Sequence, residues 1–230
     1  NYDDLKKMGA FILIDKISLS TIAAGMIYDV KSHTDNIFPQ NFSLIKKDRQ
    51  KLVGNKSFVL WLTGLSGSGK SSLANKISQD LYYYGINNYI LDGDNIRSGL
   101  NSDLKFTDAD RIENIRRIIE IGKILVDAGV VVISSFISPF KNERFAARKA
   151  FNKDEFYEIF VDAPIEICER RDQKGLYKKA REGIIKNFTG IDSPYEIPKN
   201  PDFYYASDKE TIEKASKRII QKLNKNFKFF

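Results

Sequence analysis

Of its 230 residues the chain spends one on cysteine, one on histidine, one on tryptophan and two on methionine. The lone Cys168 cannot form an intramolecular disulfide, which fits a reducing compartment. His33 cannot build a zinc site by itself, and no His/Cys cluster stands in for it. No apolar run approaches the roughly 20 residues that cross a bilayer, and there is no secretory leader pattern. A soluble cytoplasmic protein with no membrane association is the expectation. Lys and Arg number 37 against 30 acidic residues, but they are spread along the chain and form no basic arm. That speaks against a nucleic-acid partner. A net charge of +7 suits small polyanions such as nucleotides instead.

What is present is a core former's composition. Hydrophobic residues make up 42% and aromatic ones 12%, enough for one full domain plus an appendage. Residues 1–35 hold two short apolar runs, Gly9–Asp15 and Thr21–Ile27, that read as a pair of strands. Residues 36–55 are polar and charged and read as a linker with one helical turn. From residue 56 to 230 the pattern alternates. Phe58–Thr63, Asn88–Leu91, Val130–Ser135 and Phe156–Val161 read as buried strands. Helical spacing predicts Ser71–Tyr84, stopped by Gly85, and Asp108–Asp127, opened by Thr107 with Ile112, Ile115, Ile119 and Val126 inward. Further helices are predicted around 142–151 and 211–223. This order predicts an α/β fold, a mostly parallel sheet with helices on both faces. Trp61 and Cys168 read as packing residues, and of Tyr82, Tyr83 and Tyr84 one ring is expected in the core.

Gly64-Leu65-Ser66-Gly67-Ser68-Gly69-Lys70-Ser71 matches the phosphate-loop pattern G-x-x-x-x-G-K-[ST], lying between a buried strand and a helix that continues through Ser72. The glycines let backbone N–H groups turn onto phosphates, and the helix start adds its positive dipole end. Lys70 then reaches the β- and γ-phosphates, and the Ser71 hydroxyl is placed for Mg²⁺. This promises ATP or GTP binding but does not separate kinase, GTPase and motor. The next strand ends in Asp92-Gly93-Asp94-Asn95-Ile96-Arg97, at the strand terminus where parallel sheets hold ligands. Two carboxylates with an arginine one turn later suit an acceptor hydroxyl beside an anionic group.

Several longer motifs carry a resemblance. The phosphate loop, Leu91–Asn101, Arg111-Ile-Glu-Asn-Ile-Arg-Arg, Ser135-Phe-Ile-Ser-Pro, Lys174-Gly-Leu-Tyr-Lys-Lys-Ala-Arg and Phe188-Thr-Gly-Ile-Asp-Ser-Pro-Tyr-Glu resemble, in order and spacing, the adenylyl-sulfate (APS) kinase family. The resemblance implies a P-loop kinase with a mobile lid. It would phosphorylate the 3′-hydroxyl of APS with MgATP in sulfate assimilation, giving PAPS and ADP. It implies Asp94 as the group that orients and deprotonates the acceptor, with a share in the metal shell beside Ser71. Arg97, Arg111 and Asn114 would hold the phosphosulfate and ribose, Phe106 and Phe188 would stack on the adenine, and Ile137 and Ser138 would line the pocket. Lys174 and the basic stretch to Arg181 would form the lid. Ser138 is also the family's candidate phosphoserine, although in-line transfer between two bound substrates needs no such relay. A homodimer is implied as well. This chain departs from the family pattern at Lys105 and Asn187, where glycines usually precede Phe106 and Phe188.

Residues 9–27 resemble the last β-structure of the GTPase-type large subunit of sulfate adenylyltransferase. The expectation is therefore a β-rich remnant of a bifunctional protein, with a sulfate adenylyltransferase small subunit as partner of the whole. Two competing readings are a P-loop kinase for another small alcohol and a non-catalytic nucleotide sensor. A sensor would be expected to lose the acidic acceptor group, yet Asp94, Lys70 and Ser71 are all present.

Overall fold

The computed structural model describes residues 10–14, 21–26, 38, 40–105, 107–172 and 174–227. They fall into two units, Asn1–Ser43 and Leu44–Phe230. In the first, β1 (Ala10–Ile14) pairs antiparallel with β2 (Thr21–Met26), with Ala10 opposite Met26 and a register shift after Leu13. The two apolar runs therefore pair with each other.

The second unit begins with α1 (Lys46–Val53), a full helix within the segment expected to be a linker with a single turn. An alternating series follows: β3 (Val59–Thr63), α2 (Lys70–Tyr83), β4 (Asn88–Asp92), α3 (Gly93–Arg97), α4 (Asp108–Asp127), β5 (Val131–Ser135), α5 (Lys141–Lys149), β6 (Phe156–Asp162), α6 (Ile165–Arg170), α7 (Leu176–Arg181), β7 (Phe203–Ala206) and α8 (Ile212–Phe227). The Arg49 side chain ties α1 to α4, donating to the Asp127 carbonyl at 2.7 Å and pairing with its carboxylate.

Strands β3 to β7 form one parallel sheet in the order β4-β5-β3-β6-β7. Every residue of β3 is buried, as a central strand covered on both faces must be. Its side chains alternate between two cores. Leu60 and Leu62 join Leu73, Ile77 and Leu81 of α2 and Ile219 and Leu223 of α8 on one face. Val59 and Trp61 join Ile115, Ile118 and Val126 of α4 and Ala147 of α5 on the other. Helices α2 and α5, which follow the neighbouring strands β3 and β5, thus leave for opposite faces. That divergence opens a crevice at the strands' C-terminal ends, where doubly wound sheets bind ligands.

Two core expectations are corrected. Ile112 is 62% exposed, because the start of α4 is held by polar contacts rather than by the sheet: Asn101 donates to Asn114 at 2.9 Å, and Arg111 reaches toward residues 187–189. Tyr82, Tyr83 and Tyr84 are all exposed. Leu81 and Ile86 already close the end of α2, where the Ile86 N–H reaches the Leu81 carbonyl at 2.9 Å and Gly85 takes φ 74°. No ring is needed there.

Ile77, fully buried between α2 and α8, should cost about 2–5 kcal/mol when cut to Ala. Ile112→Ala should stay within about 0.5 kcal/mol. Chemical denaturation of the two variants measures the contrast.

Candidate active site

The phosphate loop is seated by close packing. A Cβ on Gly64 would come within 2.2 Å of the Val161 carbonyl oxygen, so only glycine lets β3 turn into the loop beside β6. At the far end Gly69 takes φ 101° as the N-cap of α2, and the helix's first N–H groups face the loop. Lys70 is buried and its ammonium donates to the carbonyls of Gly64 and Leu65 at 3.0 and 2.7 Å. Burial lowers its pKa to about 8, against the smaller opposing pull of Cys168, Asp92 and Asp94. The Ser71 hydroxyl donates to Asp92 Oδ2 at 2.8 Å and lies 3.4 Å from the Ser135 hydroxyl.

The two carboxylates beyond β4 are not equivalent. Asp92 caps α3, accepting the Asp94 N–H on Oδ1 at 3.1 Å, while its other oxygen faces Ser71. Asp94 sits in the first turn of α3, exposed, and is ion-paired with Lys174. The metal assignment made from sequence pairs Ser71 with Asp94; the geometry puts Asp92 next to Ser71.

Arg97 and Arg111 hold the backbone at the two positions where this chain departs from the family's glycines. Arg97 donates to the Lys105 carbonyl at 2.9 Å and Arg111 to the Asn187 carbonyl at 2.6 Å. Arg97 is shifted below the usual guanidinium range, first by burial and then by the charge of Arg111. Asn187 adopts φ 58°, a left-handed conformation that asparagine tolerates, and its N–H reaches Asp192 at 2.7 Å. Lys105 is not among the described non-glycine residues with positive φ. Phe188 follows Asn187, its N–H also held by Asp192, at 2.5 Å. Phe106 lies outside the described residues.

Ile137 and Ser138 follow β5. Ser138 is buried with φ 37°, and its strained turn is clamped from three sides. Trp61 Nε1 donates to its hydroxyl at 3.1 Å, and Arg144 and the Thr63 hydroxyl reach its carbonyl at 2.6 and 3.3 Å. Trp61 therefore does more than pack. The basic stretch forms α7, whose Tyr177 and Ala180 are buried while Lys178, Lys179 and Arg181 face outward. Tyr177 and Cys168 belong to a third small core with Leu65 and Phe188 packed against it.

Trp61, Arg171 and Ser207 border the site without an assignment from sequence, whereas Asp92 reads there as one of two acceptor-side carboxylates and Tyr177 only as part of the lid. Arg171 donates to the Ser207 hydroxyl and carbonyl, both at 2.9 Å, beside Gly69 at the loop's mouth. Asp92 carried a signal in its place at a strand end and Tyr177 in its place within the lid motif; the other three carried none. A cavity of about 630 Å³, lined by Leu65, Phe160, Asp162, Ile165, Ile191 and Tyr195, lies on the β6 side of the loop and includes neither Lys70 nor Asp94. Among the described residues no group of three or more His, Cys, Asp or Glu could hold a metal, and no helix is long and apolar enough to cross a membrane.

With this geometry in view, comparisons with known proteins converge. Residues 56–206 match the family model described as adenylylsulphate kinase. The probable adenylyl-sulfate kinase of Bacillus subtilis is 56% identical over 84% of this chain and 96% of its own. The bifunctional enzyme CysN/CysC of Xylella fastidiosa is 48% identical over 94% of this chain, which spans only 35% of that relative. Among solved structures, the Mycobacterium tuberculosis APS kinase CysC, in complex with AMPPNP and APS, superposes with a TM-score of 0.70 at 48% identity, covering 74% of this chain and 98% of that one.

The environment of Lys70 gives a pH prediction. Phosphate oxygens reaching Lys70 add negative charge and raise its pKa from about 8. Below that value the ammonium is already protonated and binding takes up no proton there. Above it, nucleotide binding should draw in a proton and weaken, by up to about tenfold per pH unit. Titration calorimetry in buffers of differing ionisation heat should show uptake approaching one proton at about pH 9 and little at about pH 7. Equal uptake at both would contradict the lowered pKa.

Proposed function

The chain belongs to the adenylylsulphate kinase family, and we propose that it transfers the γ-phosphoryl of ATP to the 3′-hydroxyl of adenosine 5′-phosphosulfate, giving PAPS and ADP. The observation that carries this reading is the juxtaposition, across one crevice, of a complete phosphate loop and an acidic turn flanked by two arginines.

In this reading the backbone amides from Gly64 to Ser72 and the start of α2 hold the ATP phosphates. Lys70 leaves the carbonyls of Gly64 and Leu65 for the β- and γ-phosphates, exchanging neutral acceptors for charged ones. The Ser71 hydroxyl and the Asp92 carboxylate are hard oxygen donors side by side, a set that suits Mg²⁺ arriving with the nucleotide. When bound, that ion would neutralise charge on the transferring phosphoryl. Asp92 is thus the better candidate for the metal side, which leaves Asp94 to orient and deprotonate the acceptor hydroxyl. The Lys174–Asp94 pair is largely exposed on both sides. Such pairs are weak, so Lys174, at the leading edge of the lid, can part from Asp94 and carry its charge toward the phosphoryl while Tyr177 and Ala180 keep the rest of the segment anchored.

Arg97, Arg111 and Asn114 would bind the phosphosulfate and ribose, and Phe188 would stack on the adenine, with Phe106 as its counterpart. Ile137 and Ser138 would line the pocket. The Ser138 hydroxyl, buried and engaged by Trp61, is poorly placed to accept a phosphoryl. Direct in-line transfer is the simpler route. Residues 1–35 would be the end of a sulfate adenylyltransferase-type domain. The match to the Xylella bifunctional enzyme supports this, because it covers 216 residues, more than the second unit holds.

Incubation with MgATP and APS should release ADP, while AMP, gluconate and shikimate should release little. The absence of APS-dependent ADP would defeat the proposal. Asp94→Asn should lower kcat about a hundredfold or more with ATP affinity nearly intact; unimpaired turnover would remove Asp94 from the role of base.

A further inference from the structure

Tyr177 touches both halves of this site at once. It lies in α7, 2% exposed. Its hydroxyl donates to the Ser66 carbonyl, in the middle of the phosphate loop, at 2.8 Å. Its ring meets Phe188 edge-on, with centroids 4.9 Å apart and planes at 77°, a favourable aromatic geometry. Burial, and then the neighbouring Cys168, hold the phenol above its ordinary pKa, so the donor persists across the working pH range.

The two contacts end on groups that each substrate would use, a loop carbonyl on one side and a stacking ring on the other. Ser66 belongs to the turn whose amides face the ATP phosphates. Phe188 sits in a turn fixed by Asp192 and, through the Asn187 carbonyl, by Arg111. A shift of the loop around phosphates therefore moves Tyr177, and Tyr177 cannot move without pressing on Phe188, because close-packed side chains have no slack. The Lys174–Asp94 pair also spans the two halves, but it is exposed and can rearrange in solvent without transmitting anything.

We infer that Tyr177 is a positioning residue that couples the donor and acceptor sites, so that nucleotide bound at the phosphate loop sets the adenine-stacking ring of the acceptor pocket. The inference rests on the proposed function, since it takes APS as the second ligand. Coupling of this kind is reciprocal: whatever factor a nucleotide imposes on APS affinity, APS imposes on the nucleotide.

The test measures APS dissociation constants by calorimetry with and without a non-hydrolysable ATP analogue, and the analogue's with and without APS. The native protein should show a coupling factor of about five or more, equal from both directions. Tyr177→Phe keeps the ring and loses the hydroxyl. It should bring the factor down about threefold or more, to near one, with each separate affinity changed by about twofold at most. Ile219→Val, in the separate core under α8, should leave the factor as it was. A residue that only stabilised the fold would not split coupling from affinity in this way. A native factor near one, or an undiminished factor in Tyr177→Phe, would overturn the inference. Hydrogen exchange on the native protein gives a second check that needs no variant: the ATP analogue alone should slow amide exchange at 187–189, and unchanged exchange there would equally overturn it. If APS fails to bind the native protein at all, it is the proposed function that fails.

Discussion

The 2.2 Å that would separate a Gly64 Cβ from the Val161 carbonyl sets the geometry on which the rest of the site depends. Because no side chain intervenes, the chain leaving β3 turns flat against β6 and folds back as a loop before α2 starts. That turn brings Lys70 and Ser71 to the ends of three neighbouring strands. Asp92 from the end of β4 and Ser135 from the end of β5 then lie within reach of the Ser71 hydroxyl. A bulkier residue at position 64 would have to separate β3 from β6 or lift the loop away from both. The parallel sheet and the phosphate seat are one construction.

From that seat the acceptor side is built by backbone capture rather than by a rigid element. The regular helices and strands supply Asp92, Ser71 and Asn114, whereas the segments holding Phe188 and Ser138 are turns. Arginine forks and carboxylates fix those turns: Arg111 and Asp192 around residues 187 and 188, Arg144 with Trp61 and Thr63 around Ser138. The guanidinium and carboxylate groups at these turns hold the backbone in shape. The loss of glycine at position 187 is absorbed because asparagine accepts the left-handed backbone that the turn requires.

Much of this was legible in the residues alone, and the reasons differ by element. The strand at Phe58–Thr63 and the helix Asp108–Asp127 were readable because long apolar or 3.6-residue patterns carry their own evidence. β7 was not, being four residues long, just after Pro201, and stabilised by pairing with β6 rather than by local preference. Helix α1 was hidden by its polarity, since it has no buried residue of its own and rests on ion pairs such as Arg49 to Asp127. At the site, the phosphate loop and the acidic turn were visible as motifs. The division of labour between Asp92 and Asp94 was not, because spacing alone does not say which carboxylate caps a helix and which pairs with Lys174. Tyr177 stood inside the lid motif, but its contacts were hidden for a related reason: its partners, Ser66 and Phe188, are distant in sequence and meet only in the fold.

The central claim is that the phosphoryl held by this loop passes directly to the acceptor across the crevice. A single turnover with ATP labelled at the γ-phosphate tests it most directly. The account predicts that with APS present the label moves to the 3′-phosphate of the product and none is trapped on the protein at any time. Label accumulating on Ser138 before product forms, or leaving ATP only as free phosphate, would contradict it.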